Sequence, residues 1–292
     1  MIVYLLLGTL LPLLAGLLIP IAPGATVHPG SGAADFNRTL RNAAPWILVA
    51  AIVFSAGQWA LNGGWQPWPS DVKHWLVHLA LVGALLAWLP AKLGAHLAML
   101  LGMGMVPLLA KPYILHTWEG SVRWQAPVAA AVFFLAWAFL YSREPKDSST
   151  SEDVRVAAVR SLLPAALAAT VAAALVALAG SVKVGQQIGV LAALTGGLVL
   201  GSALFRRQAT LTGRWLFILL FLPMLWIAVL YARLPLWTGI ALAVAPLLRV
   251  AFPAARSLAR ELMLQLPGLV LLLAALVAAV IRFRAAAMAP PY

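Results

Sequence analysis

Five side chains in this sequence have the types and the spacing to act together. His74 and His78 stand four residues apart, so a helix puts both imidazoles on one face. Asp71 lies just upstream of them. His116, with Glu119 three residues on, follows the apolar run 93–110. The runs 74–91 and 93–110 are joined by almost nothing and read as a tight antiparallel hairpin, which brings all five residues to one membrane level. Neutral imidazoles with a carboxylate suit Zn²⁺, Cu²⁺ or iron, so His74, His78, His116 and Glu119 are the candidate metal ligands. Alternatively, His78 and His116 on facing segments could ligate a haem iron. The plain reading is that interfacial histidines only make ordinary hydrogen bonds. His96, toward the other end of its run, and His28, in the first connection, do not join the group.

Other chemistries lack their residues. The chain has no cysteine, and therefore no thiolate nucleophile or Cys-ligated cluster. It has no G-x-x-x-x-G-K-[ST] phosphate loop, no H-E-x-x-H zinc helix and no G-x-S-x-G elbow. All eight carboxylates fall between the apolar runs, which leaves those runs without a general base or counter-ion. The sequence leans away from an enzyme.

The elements that must position the histidines are membrane helices. Hydrophobic residues make up 63% of the chain and charged residues 10%, where soluble domains average about 45–50% and about 25%. Mean hydropathy is +0.96. The expectation is an all-α, polytopic transmembrane bundle. A crossing helix needs about 20 apolar residues. Candidate spans cover 2–22, 43–61, 74–91, 93–110, 126–141, 161–180, 186–204, 215–232, 235–252 and 266–281. That makes about ten, within a range of eight to eleven. The first run reads as a retained span, because only Met1 and Ile2 precede it and no basic segment does.

The polar stretch 142–160 reads as a cytoplasmic linker between a Trp- and His-rich half, 1–141, and an Ala- and Leu-rich half, 161–292. Each half holds five candidate spans, so an inverted repeat is one reading. Gly102, Gly104 and Pro107 in one half and Pro246 in the other mark candidate interrupted helices at matching positions. Gly185, Gly189, Gly197 and Gly201 have the small-xxx-small spacing of close helix packing, inside the bundle or in a homodimer. The segment 253–265 reads as a short interfacial helix, and Arg249, Arg256 and Arg260, at helical spacing interrupted by Pro253, read as a lipid-facing basic stripe.

The formal net charge of +12 does not point to nucleic acid, because the basic residues flank apolar runs singly or in small groups. Thirteen Lys and Arg residues fall on one side of the alternating connections and seven on the other. The positive-inside rule makes the richer side cytoplasmic, with both termini outside, in the inner membrane of a bacterium. Trp59, Trp65, Trp68, Trp75, Tyr113, Trp118, Trp124, Tyr231 and Trp237 then form an outer aromatic belt. The functional expectation is a permease-like carrier of a weakly polar or lipid-like solute, or a structural membrane subunit of a larger complex. Membrane lipids, other membrane subunits or a second copy are the partners. The alternative is a metal- or haem-binding redox subunit built on His74, His78 and His116.

Overall fold

Each of the ten apolar runs becomes a helix in the computed structural model, which describes residues 6–22, 33–63, 69, 71–142, 154–205, 210–253, 255 and 257–288. In chain order these are α1 (Leu6–Ile21), α2 (Ala33–Asn62), α3 (Val72–Trp88), α4 (Ala91–Leu109), the short α5 (Lys111–His116), α6 (Val122–Ser142), α7 (Val154–Leu178), α8 (Val182–Phe205), α9 (Thr210–Tyr231), α10 (Leu236–Val250), the short α11 (Leu258–Leu264) and α12 (Leu266–Met288). No strand occurs among the described residues. Seven helices are long and apolar enough to cross a membrane. The other three apolar helices, α1, α3 and α10, have 10–17 residues, below the length of about 20 that spans a bilayer upright. The chain is therefore a multi-pass helical bundle, and a count of ten depends on those three.

The start of α2 and the end of the linker differ from the sequence reading, α2 beginning at Ala33 rather than at 43. Residues 154–160, expected in the linker, are the first turns of α7. Val156, Ala157, Ala158 and Val159 are buried there, because this end of α7 packs against α11. Residues 143–153, with most of the linker's charges, lie outside the described residues, as do Arg256, His28, Trp65 and Trp68. The prolines also do less than expected. α4 runs through Gly102, Gly104 and Pro107, and α10 through Pro246, without a break. Proline removes one N–H and bends a helix without having to end it. Pro45, Pro127, Pro164 and Pro223 also sit inside helices, so Pro107 and Pro246 are not a distinguishing pair.

α9 is the hub. Of its membrane-span window 67% is buried, and it packs against α2, α3, α4, α6, α7, α8 and α10. Its polar-edged aromatics bind neighbouring backbones. Trp215 Nε1 donates to the carbonyl of Gly83 at 2.8 Å, Trp226 Nε1 to Val106 at 3.2 Å and the Tyr231 hydroxyl to Leu109 at 2.8 Å. An N–H or O–H in an apolar interior must find such a partner, because water is not there to supply one. The hydroxyls of Tyr113 and Tyr231 thus bond backbone carbonyls, although the Tyr231 ring stays exposed, as do Trp59, Trp124 and Trp237. Between α6 and α9, Trp137 stacks on Tyr141 at 5.0 Å and Phe217 on Phe221 at 4.4 Å.

Glycine sets the closest crossing. A Cβ on Gly197 would fall 2.3 Å from the carbonyl oxygen of Leu13, one on Gly201 2.3 Å from that of Leu17, and one on Gly16 2.3 Å from that of Leu194. α1 and α8 therefore touch backbone to backbone and run parallel. Gly185 does the same at the α7–α8 turn, where its Cβ would meet the Ala173 carbonyl at 2.7 Å. Gly189 has open space around it and takes no part. Three of the four expected packing glycines stand at contacts inside this one chain.

Candidate functional site

A cavity of about 410 Å³ lies between α4, α6, α9 and α10. Small residues create it. α6 presents Ala126, Ala129 and Ala130, and α10 presents Gly239, where larger side chains would close the gap. The floor is buried and apolar, made by Val106, Phe134, Leu222, Leu225 and Ala243. At the mouth Phe133, Leu236 and Ile240 are 39%, 60% and 45% exposed, so the cavity opens sideways between α6 and α10. At its closed end Trp137 Nε1 donates to the carbonyl of Ala243 at 2.6 Å and ties these two helices together. Trp226 forms a wall and is held by its bond to Val106. No titratable residue lines the space. It can hold apolar matter but has no group with which to attack it.

The expected histidine centre does not assemble. Among the described residues no three His, Cys, Asp or Glu side chains form a group that could hold a metal ion. His74 is buried in the first turn of α3. His78, one turn on, donates from Nδ1 to the carbonyl of His74 at 3.2 Å and leans on Trp75 with ring centroids 5.7 Å apart. His116 and Glu119 are exposed. α5 buries Ile114, and His116, two residues on, points to the opposite side of the helix. Asp71 is occupied locally. Its carboxylate accepts from the Lys73 backbone N–H at 3.3 Å and pairs with the Lys73 ammonium. Partial burial alone would raise the Asp71 pKa, but these two Lys73 contacts hold it below the ordinary 3.8.

Two buried polar clusters were not anticipated. Arg249 at the end of α10 is 2% exposed and Glu261 in α11 is 0% exposed. Arg249 Nε and Nη2 each donate to a Glu261 carboxylate oxygen at 2.5 Å. Nη1 donates to the Phe252 carbonyl at 2.9 Å, and Gln265 Nε2 donates to Glu261 Oε1 at 3.1 Å. Arg249 is thus a buried clamp across the α10–α11 turn and not a member of a lipid-facing stripe. The reason is that α11 presents Glu261 to the end of α10, where the guanidinium reaches both carboxylate oxygens. One signal was present: Glu261 is the only carboxylate after Asp153, and a lone acid among arginines invites a partner. In the second cluster Gln58 Nε2 donates to the Gln187 carbonyl at 3.1 Å, and Gln187 Nε2 donates to Asn62 Oδ1 at 2.9 Å, which stitches α2 to α8.

No protein-family model matches the chain, and no curated protein or solved structure matches it significantly.

Proposed function

We propose that this multi-pass membrane protein is a permease-like carrier that takes a lipid-like molecule sideways from the bilayer, through the gap between α6 and α10. The carrying observation is the apolar cavity of about 410 Å³, whose size falls within the range of ligand pockets, about 300–1,000 Å³. Its exposed mouth residues belong to helices long enough or apolar enough to lie in hydrocarbon. A charged solute would need a counter-ion within the spans. The one buried carboxylate among the described residues, Glu261, is already neutralised by Arg249. The distribution of Lys and Arg favours an inner-membrane location with both termini outside the cytoplasm.

A diazirine-bearing phospholipid, photolysed with the purified protein in nanodiscs, tests the reading. Adducts are expected to concentrate on Phe133, Ile240 and their neighbours, and to fall when Ala130→Phe fills the space. Labels spread evenly over every exposed apolar residue, indifferent to that variant, would end it.

One observation favours a membrane-subunit reading as well. α12 is the least buried of the long helices, at 17%, and Leu266, Val270, Leu273, Val277 and Ile281 form an exposed apolar side. Cysteine crosslinking along this side in native membranes distinguishes a protein neighbour from lipid.

A further inference from the structure

The connections around the cavity carry charge as well as aromatic rings. Arg123, in the first turn of α6, stands one turn before the lining residue Ala126. Its Nε is buried and makes no hydrogen bond, and its guanidinium lies 5.8 Å from the centre of the Trp124 ring. Arg233, exposed between α9 and α10, lies between the lining residues Val229 and Leu236, with its backbone in the left-handed region at φ 56°. Lys111, exposed at the start of α5, follows the floor residue Val106 by five positions. Lys111 just after α4, Arg123 in the first turn of α6 and Arg233 between α9 and α10 thus set a cation beside an end of each of the four helices that wall the cavity. Two carboxylates share this end: Glu119, exposed in the turn before α6, and Asp71, which lies near Tyr231 but is paired with Lys73.

An apolar slot with a cationic collar fits a molecule with an anionic head and a hydrocarbon tail. We infer that the occupant is an anionic glycerophospholipid of the leaflet facing the start of α6, with an acyl chain in the cavity and its phosphate on Arg123, flanked by Arg233 and Lys111. The choice of phosphate follows from the guanidinium fork, which matches two phosphate oxygens at once. The start of a helix adds its own positive potential at the same place. The choice of a bilayer lipid follows from the sideways mouth. This inference rests on the cavity reading and adds to it the class of headgroup.

Native mass spectrometry of the full chain tests it, with dioleoyl phosphatidylglycerol and dioleoyl phosphatidylcholine offered in equal amounts. The wild type should retain phosphatidylglycerol over phosphatidylcholine by about fivefold, the effect of roughly one well-placed basic residue at a lipid surface. Arg123→Gln should bring the ratio toward one without lowering retention of phosphatidylcholine, and Arg123→Lys should keep part of the preference. The Lys111→Gln/Arg233→Gln double variant changes only exposed side chains and should lower the same ratio, so the result does not hang on the folding of an Arg123 variant. Equal retention of the two lipids by the wild type, or a preference that survives all three losses of charge, overturns the inference. So does displacement of phosphatidylglycerol by equimolar oleate, which would assign the slot to a free fatty acid. Ile240→Trp, which blocks the mouth, separates the two readings. If it lowers both lipids alike, the cavity reading stands even where Arg123 proves irrelevant; if retention is unchanged, the cavity reading fails and this inference with it.

Discussion

Arg249 and Glu261 meet fork to fork inside the protein, two guanidinium nitrogens on two carboxylate oxygens at 2.5 Å, with neither side chain reaching the surface. Gln265 and the carbonyls of Phe252 and Pro253 complete the shell. Such a pair is costly to break from one side, because the survivor is a buried and uncompensated charge. Glu261→Ala or Arg249→Ala should each cost about 3–5 kcal/mol, whereas the double Arg249→Met/Glu261→Leu should recover most of that. Thermal unfolding in detergent checks this, with Arg249→Met, Glu261→Leu and the double run as a double-mutant cycle beside the alanine variants. Additive losses would show that the pair is not coupled.

The α1–α8 crossing should be intolerant of any side chain. With carbonyl oxygens 2.3 Å from a Cβ on Gly197 or Gly201, even alanine forces the helices apart. Each Gly→Ala change should cost about 1–3 kcal/mol, the range for overpacking. Gly189→Ala, in open space on the same helix, should be neutral or stabilise by up to about 1 kcal/mol. Equal melting temperatures for the three variants would contradict the close contact.

The glutamine stitch should show the asymmetry of buried hydrogen bonds. Gln187→Ala leaves Asn62 Oδ1 without its donor and should cost about 1–3 kcal/mol. Replacing Gln58, Asn62 and Gln187 together by leucine should cost less than the single change, since no polar group is then stranded. Urea or thermal unfolding of the single and triple variants decides between the two orders.

Acid should silence Asp71. Its folded pKa is depressed below 3.8 by Lys73, so its contribution is fully present above that value and is lost as pH falls through the lower, folded one. The pair is partly exposed and its effect small. Melting temperatures of the wild type and Asp71→Asn should differ at neutral pH and converge in strong acid. A gap that widens on acidification would reverse the sign and refute the pairing.

The membrane helices were legible because their signal is local. An apolar run of sufficient length has few other ways to satisfy its backbone, and the described part of each of the ten runs, from 2–22 to 266–281, falls on a helix, with ends shifted by up to ten residues where polar turns extend it, as at Ala33. The interfacial segment 253–265 likewise holds α11. What was hidden depends on which face of a helix meets which neighbour. Arg249 and Glu261 are separated by a proline and a turn, and a periodicity argument placed the arginine in lipid. The cavity comes from alanines of α6 set against Gly239 of α10, residues that look the same whether they pack tightly or leave a hole. The histidines failed for a similar reason. Spacing can set His74 and His78 on one face, but it cannot aim His116, whose direction is decided by the burial of Ile114.

The backbone contact of Gly16 with Gly197 also orders events on the ribosome. The two glycines are separated by roughly 180 residues, which at about 5–20 residues per second means on the order of ten to forty seconds of synthesis. Through that interval α1 is without the groove on α8 that it will occupy, and of its two main partners only α2 is already made. α1 is thus seated against α8 late, and the emergence of α8 sets when this crossing can close.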